Sequence, residues 1–429
     1  MKNKFKYTLI VINCLLTFLN QLIYHYEPAS DSLTYLKLAK QYTQFIFFDP
    51  ETNCYGHTFY ALFLATIGSI ISYHHFVVGL IQSLIFCFSS LLLIGELEKK
   101  LKQNLSGLMI ILFLVPEIHF HNGYILTESL AFTLIIFSFY LALKIYNNKA
   151  TILNILFLSF TISIAILNRF ECAVIIFPIL FLIYPKIKGK LISQVFILTS
   201  IPLLIIQING FRNYKIFNNY KLTAFNGGEV IYGGNSENLD GSHHVFWKHK
   251  EIFIPKNKID DFDKIISQPE CLSCPKKDSF LLKLAIESWQ KNPIQQVKVI
   301  PQKLAKNWLL PGMFDIYTAD TTKTRGLQLN NILSKKYFHN LWYAPYKHLF
   351  YMIIHWAILI MLLIGLFKLD KHNRFQLSVL ILLAFYVLFA VPFSGLPRWH
   401  VGIFPLLIIT FTPRSLIETI NKNMRRFIS

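Results

Sequence analysis

The sequence predicts an all-α polytopic membrane protein with about ten transmembrane helices, and three observations carry that prediction. The chain is 54% hydrophobic with only 15% charged side chains. Its apolar residues fall in blocks of roughly 15–24, close to the ~20 that cross a ~30 Å hydrocarbon core. The lysines and arginines lie mostly between those blocks, where loop charge sets topology. That placement also removes the net charge of +19 as a nucleic-acid signal; it reads as topology and phosphate contact.

Taken in order, MKNKFK precedes the first apolar block, 7–24. No small-residue cleavage site follows it, so the block reads as a retained span and not a removed signal peptide. Next comes EPASDSLTYLKLAK (27–40), in which Asp31, Tyr35, Leu38 and Tyr42 share one helical face. The piece TFYALFLATIGSIIS (58–72) is short enough that a surface-lying helix competes with a span. Clear spans follow at 76–95, 104–118, 128–146, 151–168, 170–184 and 190–208. After a long polar region, three more lie at 347–367, 374–393 and 399–412.

Charge decides the status of 58–72. With that helix on the surface and the N-terminus in the cytoplasm, EKKLKQN, KIYNNK, PKIKGK, KLDKHNR and the tail NKNMRRFIS all fall inside. If it spans, every loop after it flips against the positive-inside rule. The surface reading divides the chain into an N-terminal transmembrane module, 1–208, with an outer loop 25–75; an extracytoplasmic region, 209–346; and a C-terminal transmembrane part, 347–429. Both termini are then cytoplasmic.

Ionisable residues therefore gather at span ends on the outer side, where charge is expensive unless it is used. Asp31 is either a helix cap with Ser30 or a general base at the membrane surface. Glu128 opens a span, where the helix dipole favours it and where it could pair with Asp31. His119 and His121, two residues apart, do not share a helix face and do not read as metal ligands. Arg169 and Arg398 stand against the topological bias, so each needs a partner. A phosphate is the natural one, with Glu171 the alternative for Arg169 and interfacial anchoring beside Trp399 the alternative for Arg398.

The outer region holds the glycine pairs 227–228 and 233–234 beside Asn226 and Asn235, a pattern of tight turns whose amides can approach a polar ligand. Helices follow over 278–292 and 293–309, with lysines interleaved as on a membrane surface. Pro301 is expected to bend or break the second near Ile300. Cys271 and Cys274 form one C-x-x-C pair, weak evidence for zinc and better evidence for a local disulfide in an oxidising compartment.

In this order and on this common side, the segments resemble the polyprenyl-phosphate-sugar-dependent glycosyltransferases of the C-type (GT-C) membrane fold. That superfamily includes protein O-mannosyltransferases and lipid A aminoarabinose transferases. DSLTYLKLA (31–39) is similar to its aspartate-plus-tyrosine helix, and CYGHTFYALFLATIG (54–68) to its surface helix. TESLAFTLIIFSFYLALK (127–144) resembles the acidic opening of its fourth span, and LNRFE (167–171) its arginine-proline turn. RNYKIFNNYKLTAFNGGEVIYGGN (212–235) and KNPIQQVKVIPQKLAKNW (291–308) resemble its large outer loop, and PRWHVGIFPLL (397–407) its late arginine-aromatic motif. Gly56-His57 and Phe170 depart from the family's tyrosine-proline and proline.

The resemblance implies an inner-membrane enzyme with its active site on the periplasmic or extracellular face. It moves a sugar from a polyprenyl-phosphate donor to a hydroxyl on a lipid, glycan or protein, with inversion. Asp31 and Glu128 would be the catalytic pair, and Tyr35, Arg169, Arg212, Asn235 and Arg398 would bind substrate. Membrane lipids are partners and nucleic acid is not. The scheme requires no metal, although some members of the superfamily use a divalent ion. Two other classes stay open on the residues alone. A lipid-linked glycan flippase would show internal repeats and mid-span charge, and an O-antigen ligase or polymerase would use a diphosphate donor.

Overall fold

A computed structural model describes residues 2–23, 31–47, 58–148, 151–235, 254–309, 347–389 and 397–428. Among them every regular element is helical and no strand is present. Five segments are long and apolar enough to cross a membrane: Lys4–Leu22, His75–Leu101, Thr127–Asn147, Phe170–Ile187 and Ile192–Phe217. They belong to α1 (Lys2–Ile23), α4 (His75–Leu101), α7 (Thr127–Asn147), α9 (Ile176–Ile187) with its leading 3-10 turn Phe170–Ile175, and α10 (Leu191–Phe217). Shorter apolar helices accompany them: α3 (Thr58–Ile70), α8 (Ile152–Asn168), and the apolar stretches Tyr351–Phe367 and Arg374–Leu388.

Besides 170–184, which opens with the 3-10 turn Phe170–Ile175, two further predicted spans are not single helices. The block 104–118 is divided into α5 (Ser106–Phe113) and α6 (Pro116–Gly123), because Pro116 has no N–H to continue the ladder and takes the first helical position instead. The Phe113 carbonyl left at the break accepts from Asn13 Nδ2 at 3.3 Å and from His119 Nε2 at 2.8 Å. At the far end of α6, Gln21 Nε2 donates to Gly123 O at 2.6 Å, and Gln82 Nε2 donates to Asn122 O and Tyr124 O at 2.7 and 2.9 Å. Block 399–412 is likewise a 3-10 turn, Pro397–Gly402, followed by a short helix at Phe404–Phe411 that carries Pro405 in its first turn.

Contacts sort the helix ends into two groups. At one end Lys6 meets Glu98 at 3.8 Å and Lys100 lies over the Tyr146 ring. There Asn421, on the amphipathic C-terminal helix Arg414–Ile428, bonds Gly107 N and Asn104 O, both at 2.8 Å. At the other end Gln21 reaches His75 O at 2.9 Å, Asn168 Nδ2 reaches Thr127 O at 3.0 Å, and Thr58 Oγ1 bonds Asn209 Oδ1 at 2.6 Å. The short basic loops cluster with the first group. Asp31, Glu128, Arg169 and the start of the polar region cluster with the second.

That second end is covered by a pair of helices, α2 (Asp31–Thr43) and α3, packed on each other through a buried cluster. Tyr35 meets Tyr60 edge-on at 5.2 Å, and Tyr60 Oη donates to Gln82 Oε1 at 2.8 Å. Beyond it, α10 runs past the predicted end of its span to Phe217. The polar region then forms α11 (Gly227–Asn235), α12 (Ile259–Ile266), α13 (Glu270–Lys291) and α14 (Pro293–Leu309). The C-terminal part adds α15 (Lys347–Phe367), α16 (Arg374–Phe389), α17 (Phe404–Phe411) and α18 (Arg414–Ile428).

Three expectations for this region change. The glycine pairs make no ligand-facing turns; Gly227, Gly228, Gly233 and Gly234 lie in α11, packed on α13. Helix α13 starts earlier than 278 and so includes both cysteines. Cys274 is disulfide-bonded, with its partner sulfur outside the described side chains. Helix α14 continues through Pro301, whose substitution for an N–H frees the carbonyl of Val297, on an exposed turn that water can serve.

Gly228 shows why that packing needs glycine. Its N–H donates to Asp278 Oδ1 at 2.8 Å, and a Cβ there would overlap the Asp278 carbonyl, a backbone atom that cannot rotate away. Gly228→Ala is therefore expected to destabilise the outer helices by about 1–3 kcal/mol. Thermal unfolding of the purified variant against the parent measures this; an unchanged midpoint would mean α11 and α13 separate easily.

Candidate functional site

Asp31 opens α2, where the partial positive charge of the helix N-terminus favours a carboxylate. Its predicted face is real: Tyr35, Leu38 and Tyr42 are buried, and Asp31 lies half-buried at the end of that face. The neighbouring Ser32 Oγ donates to Ile125 O at 3.0 Å, which ties the start of α2 to the turn that leads into Glu128. A single hydrogen bond thus links the segments that carry two acidic residues distant in sequence.

Glu128, in the first turn of α7, is almost fully buried. Its Oε1 pairs with Arg169 Nη1 at 2.6 Å, while Arg169 Nε pairs with Glu171 Oε1. Arg169 Nη1 also donates to Thr127 Oγ1 at 3.2 Å. The sequence treated Glu128 and Arg169 as separate candidates. The structure joins them in a carboxylate–guanidinium–carboxylate chain that includes the Glu171 pairing. Burial alone would lower the Arg169 pKa, and the charges of Glu171 and Glu128 more than reverse this, holding the guanidinium firmly protonated. Two carboxylates balance its charge and leave little for a further anion.

Arg212 is different. It lies on the extension of α10, one turn beyond Asn209, and is 6% exposed. Its Nε and Nη2 have no hydrogen-bond partner among the described residues. A buried guanidinium without a counter-charge is costly, so among the described residues Arg212 is the cation at this end most in need of an anion. The Arg398 backbone is in the 3-10 turn Pro397–Gly402, while its side chain lies outside the described residues, as do Gly56 and His57.

Asn235 is a packing hub. Its Oδ1 accepts from Trp289 Nε1 at 3.0 Å and from Lys303 Nζ at 2.7 Å, its Nδ2 donates to Ile231 O, and its carbonyl accepts from Gln296 Nε2 at 2.9 Å. These bonds join α11, α13 and α14. Lys303 is fully buried there, and burial pulls its pKa down to about 8.

One cluster was not anticipated. Glu117, on α6, faces His355 of α15 through Oε2–Nδ1 at 2.9 Å and His400 through Oε1–Nε2 at 3.1 Å. All three are less than 5% exposed. His355 Nε2 meets Trp308 O at 3.0 Å, and His400 Nδ1 meets Asn307 O. The available signal was an ionisable residue inside an apolar block, since Glu117 lies in 104–118 and His355 in 347–367. His119 bonds Phe113 O and Thr17 Oγ1.

No protein-family model matches the chain, and a search of curated proteins finds no matching relative.

Removing Arg169 leaves Glu128 buried and charged without its partner. Arg169→Met is expected to cost about 3–5 kcal/mol, and adding Glu128→Gln should return a large part of that. Unfolding midpoints of the two variants measure the coupling; additive losses would show that the pair does not interact.

Lys303 makes a pH prediction. The unfolded chain keeps a lysine near ~10.4, so between about pH 8 and 10 the unfolded state binds the extra proton and stability rises with pH. The midpoint of the parent should climb relative to Lys303→Met across that window. Parallel profiles would mean that Lys303 titrates normally.

Proposed function

We propose that the protein transfers a sugar from a polyprenyl-phosphate donor to a hydroxyl acceptor at the outer face of the membrane, on a GT-C-like fold. The observation that carries this reading is the pairing, at one end of the bundle, of a carboxylate-bearing surface helix with the buried, uncompensated guanidinium of Arg212. The first supplies a base and the second an anion site.

The same reading makes ten passes of the bundle: α1, α4, α5 with α6, α7, α8, α9, α10, α15, α16, and the last 3-10 turn with α17. The broken pair α5–α6 connects Gly107, level with the C-terminal helix, to Gly123, level with Gln21, so together they cover the length of one pass. The end rich in basic loops is cytoplasmic by the positive-inside rule. A disulfide-bonded Cys274 in the outer helices fits an oxidising compartment on the other side.

In the reaction, Asp31 accepts the proton of the acceptor hydroxyl. The oxygen attacks the anomeric carbon from the face opposite the phosphate, and the bond from that carbon to the phosphate oxygen breaks. The polyprenyl phosphate leaves already ionised, so it needs positive charge and no general acid. Arg212 supplies that charge, with Arg398. Arg169 mainly holds Glu128 in place, and Glu128 beside Asp31 tunes or orients the acceptor end. Tyr35 braces the Asp31 helix against α3. Asn235 acts by keeping the outer helices in position over the donor. A diphosphate-using ligase would have no need of the acid after the first span.

Asp31→Asn should lower transfer by about two to four orders of magnitude, the contribution of a general base, while leaving the folded yield unchanged. Arg212→Gln should weaken use of the monophosphate donor. The assay supplies monophosphate- and diphosphate-linked sugars separately to purified protein in lipid. Near-normal transfer by Asp31→Asn, or turnover of the diphosphate donor alone, overturns the reading.

A further inference from the structure

The Glu117–His355–His400 cluster lies outside the machinery just described, and its ligand atoms all lie within 4.8 Å of one another. The backbone decides where its protons are. Trp308 O and Asn307 O can only accept, so the ring nitrogens that face them, His355 Nε2 and His400 Nδ1, are the ones that carry hydrogen. In the neutral rings the other two nitrogens, His355 Nδ1 and His400 Nε2, then present lone pairs toward Glu117.

Two lone pairs and a carboxylate facing one another repel unless something positive lies among them. A proton on His355 Nδ1, which stands in hydrogen-bond geometry to Glu117 Oε2, relieves half of this and leaves the His400 Nε2 lone pair against Glu117 Oε1. A second imidazolium proton would bury a net positive charge where all three residues are under 5% exposed. One cation accepts all three donors at once. His400 Nε2 supports this alternative. It comes within 3.1 Å of Glu117 Oε1 yet lacks the alignment of a hydrogen bond and has no other partner, although the ring is fully buried. A backbone carbonyl holding the far N–H of each ring is the usual outer-shell support of a ligating histidine.

We infer that Glu117, His355 and His400 bind a divalent transition-metal ion that pins the outer helix α14 and the 3-10 turn Pro397–Gly402 to α6 and α15. The donor set of two imidazoles and one carboxylate suits zinc, whose bonds of about 2.0–2.2 Å put neighbouring ligand atoms about 3.3 Å apart. The separations of 2.9 and 3.1 Å, each to a different oxygen of Glu117, would open by a few tenths of an ångström, and no pair of ligand atoms is more than 4.8 Å apart. Three protein ligands leave a position for water or for the second carboxylate oxygen. The ion's place is structural: its ligands come from α6, α15 and the 3-10 turn, and carbonyls of α14 hold both histidines from behind. The inference does not rest on the transfer reading, since metal content is measured without any donor.

The test uses the full chain purified in lipid nanodiscs, with metal content measured by mass spectrometry. About one zinc per chain is expected after incubation with Zn2+ and removal of the excess. Chelation should lower the thermal midpoint by several degrees, and Zn2+, but not Mg2+, should restore it. Glu117→Gln and the pair His355→Asn/His400→Asn should each lose the bound zinc and the response to chelator. Parent protein that takes up no zinc overturns the inference, and so do variants that keep it, since the ion would then be held elsewhere. If the variants do not fold, the uptake and chelator response of the parent decide.

Discussion

The constraint on which the structure depends is that a helix broken inside a buried apolar core must have its freed carbonyls satisfied by neighbouring side chains. Pro116 imposes the break, and α1 and α4 answer it. Asn13 and His119 serve Phe113 O, Gln21 serves Gly123 O, and Gln82 serves Asn122 O and Tyr124 O. Thr17 and Ser83 complete a polar seam between α1, α4 and α6, bonding each other at 2.8 Å and reaching His119 and Asn13. The break displaces α6 from the line of α5 and so sets where Glu117 stands and where α7 begins with Glu128. Gln82 extends the seam outward, because its oxygen receives Tyr60 and thereby docks the α2–α3 layer that carries Asp31.

Electrostatics then divides the candidate residues by whether their charge is already used. Arg169 faces two carboxylates and stabilises the turn between α8 and α9 against the start of α7. Arg212 is buried without any among the described residues. In a low-dielectric setting an imbalance of one charge outweighs several ordinary hydrogen bonds, so the uncompensated cation is the better place to look for an anionic ligand. On the sequence Arg169 had Glu171 as an alternative partner, and Arg212 entered only through the resemblance. Their partners distinguish them.

Much of the fold was legible because it follows from length and charge. Blocks long enough to span became helices, and the basic loops gathered at one end, as their distribution required. The pair α2–α3 was legible from the face shared by Tyr35, Leu38 and Tyr42, all now buried. The break at Pro116 was written in the sequence too, but block hydropathy averages over a single proline and hid it. Gly228 was read for its conformational freedom, when its use is the absence of a side chain against Asp278. Partnerships across the bundle were not legible. Nothing local to Glu128 announces Arg169, and nothing local to Glu117 announces two histidines from the far end of the chain. Such pairings are set by how helices stack, which periodicity does not encode.

Helix α14 shows how the two levels meet. Lys303 and Asn307 are one turn apart and so share a face. Lys303 bonds Asn235, the hub of the outer helices, while the Asn307 carbonyl holds His400 against Glu117 in the bundle. A single helical face therefore contacts both bodies, and the helix persists through Pro301 between its first turns and this contact. The outer helices are also attached to the bundle through α10, the element that carries Arg212. With two attachments, one at α10 and one at α14, they cannot pivot freely about either. On the transfer reading proposed above, a donor beside Arg212 would meet a surface whose orientation is set at both sides, as aligning a phosphate, a sugar carbon and an acceptor hydroxyl requires.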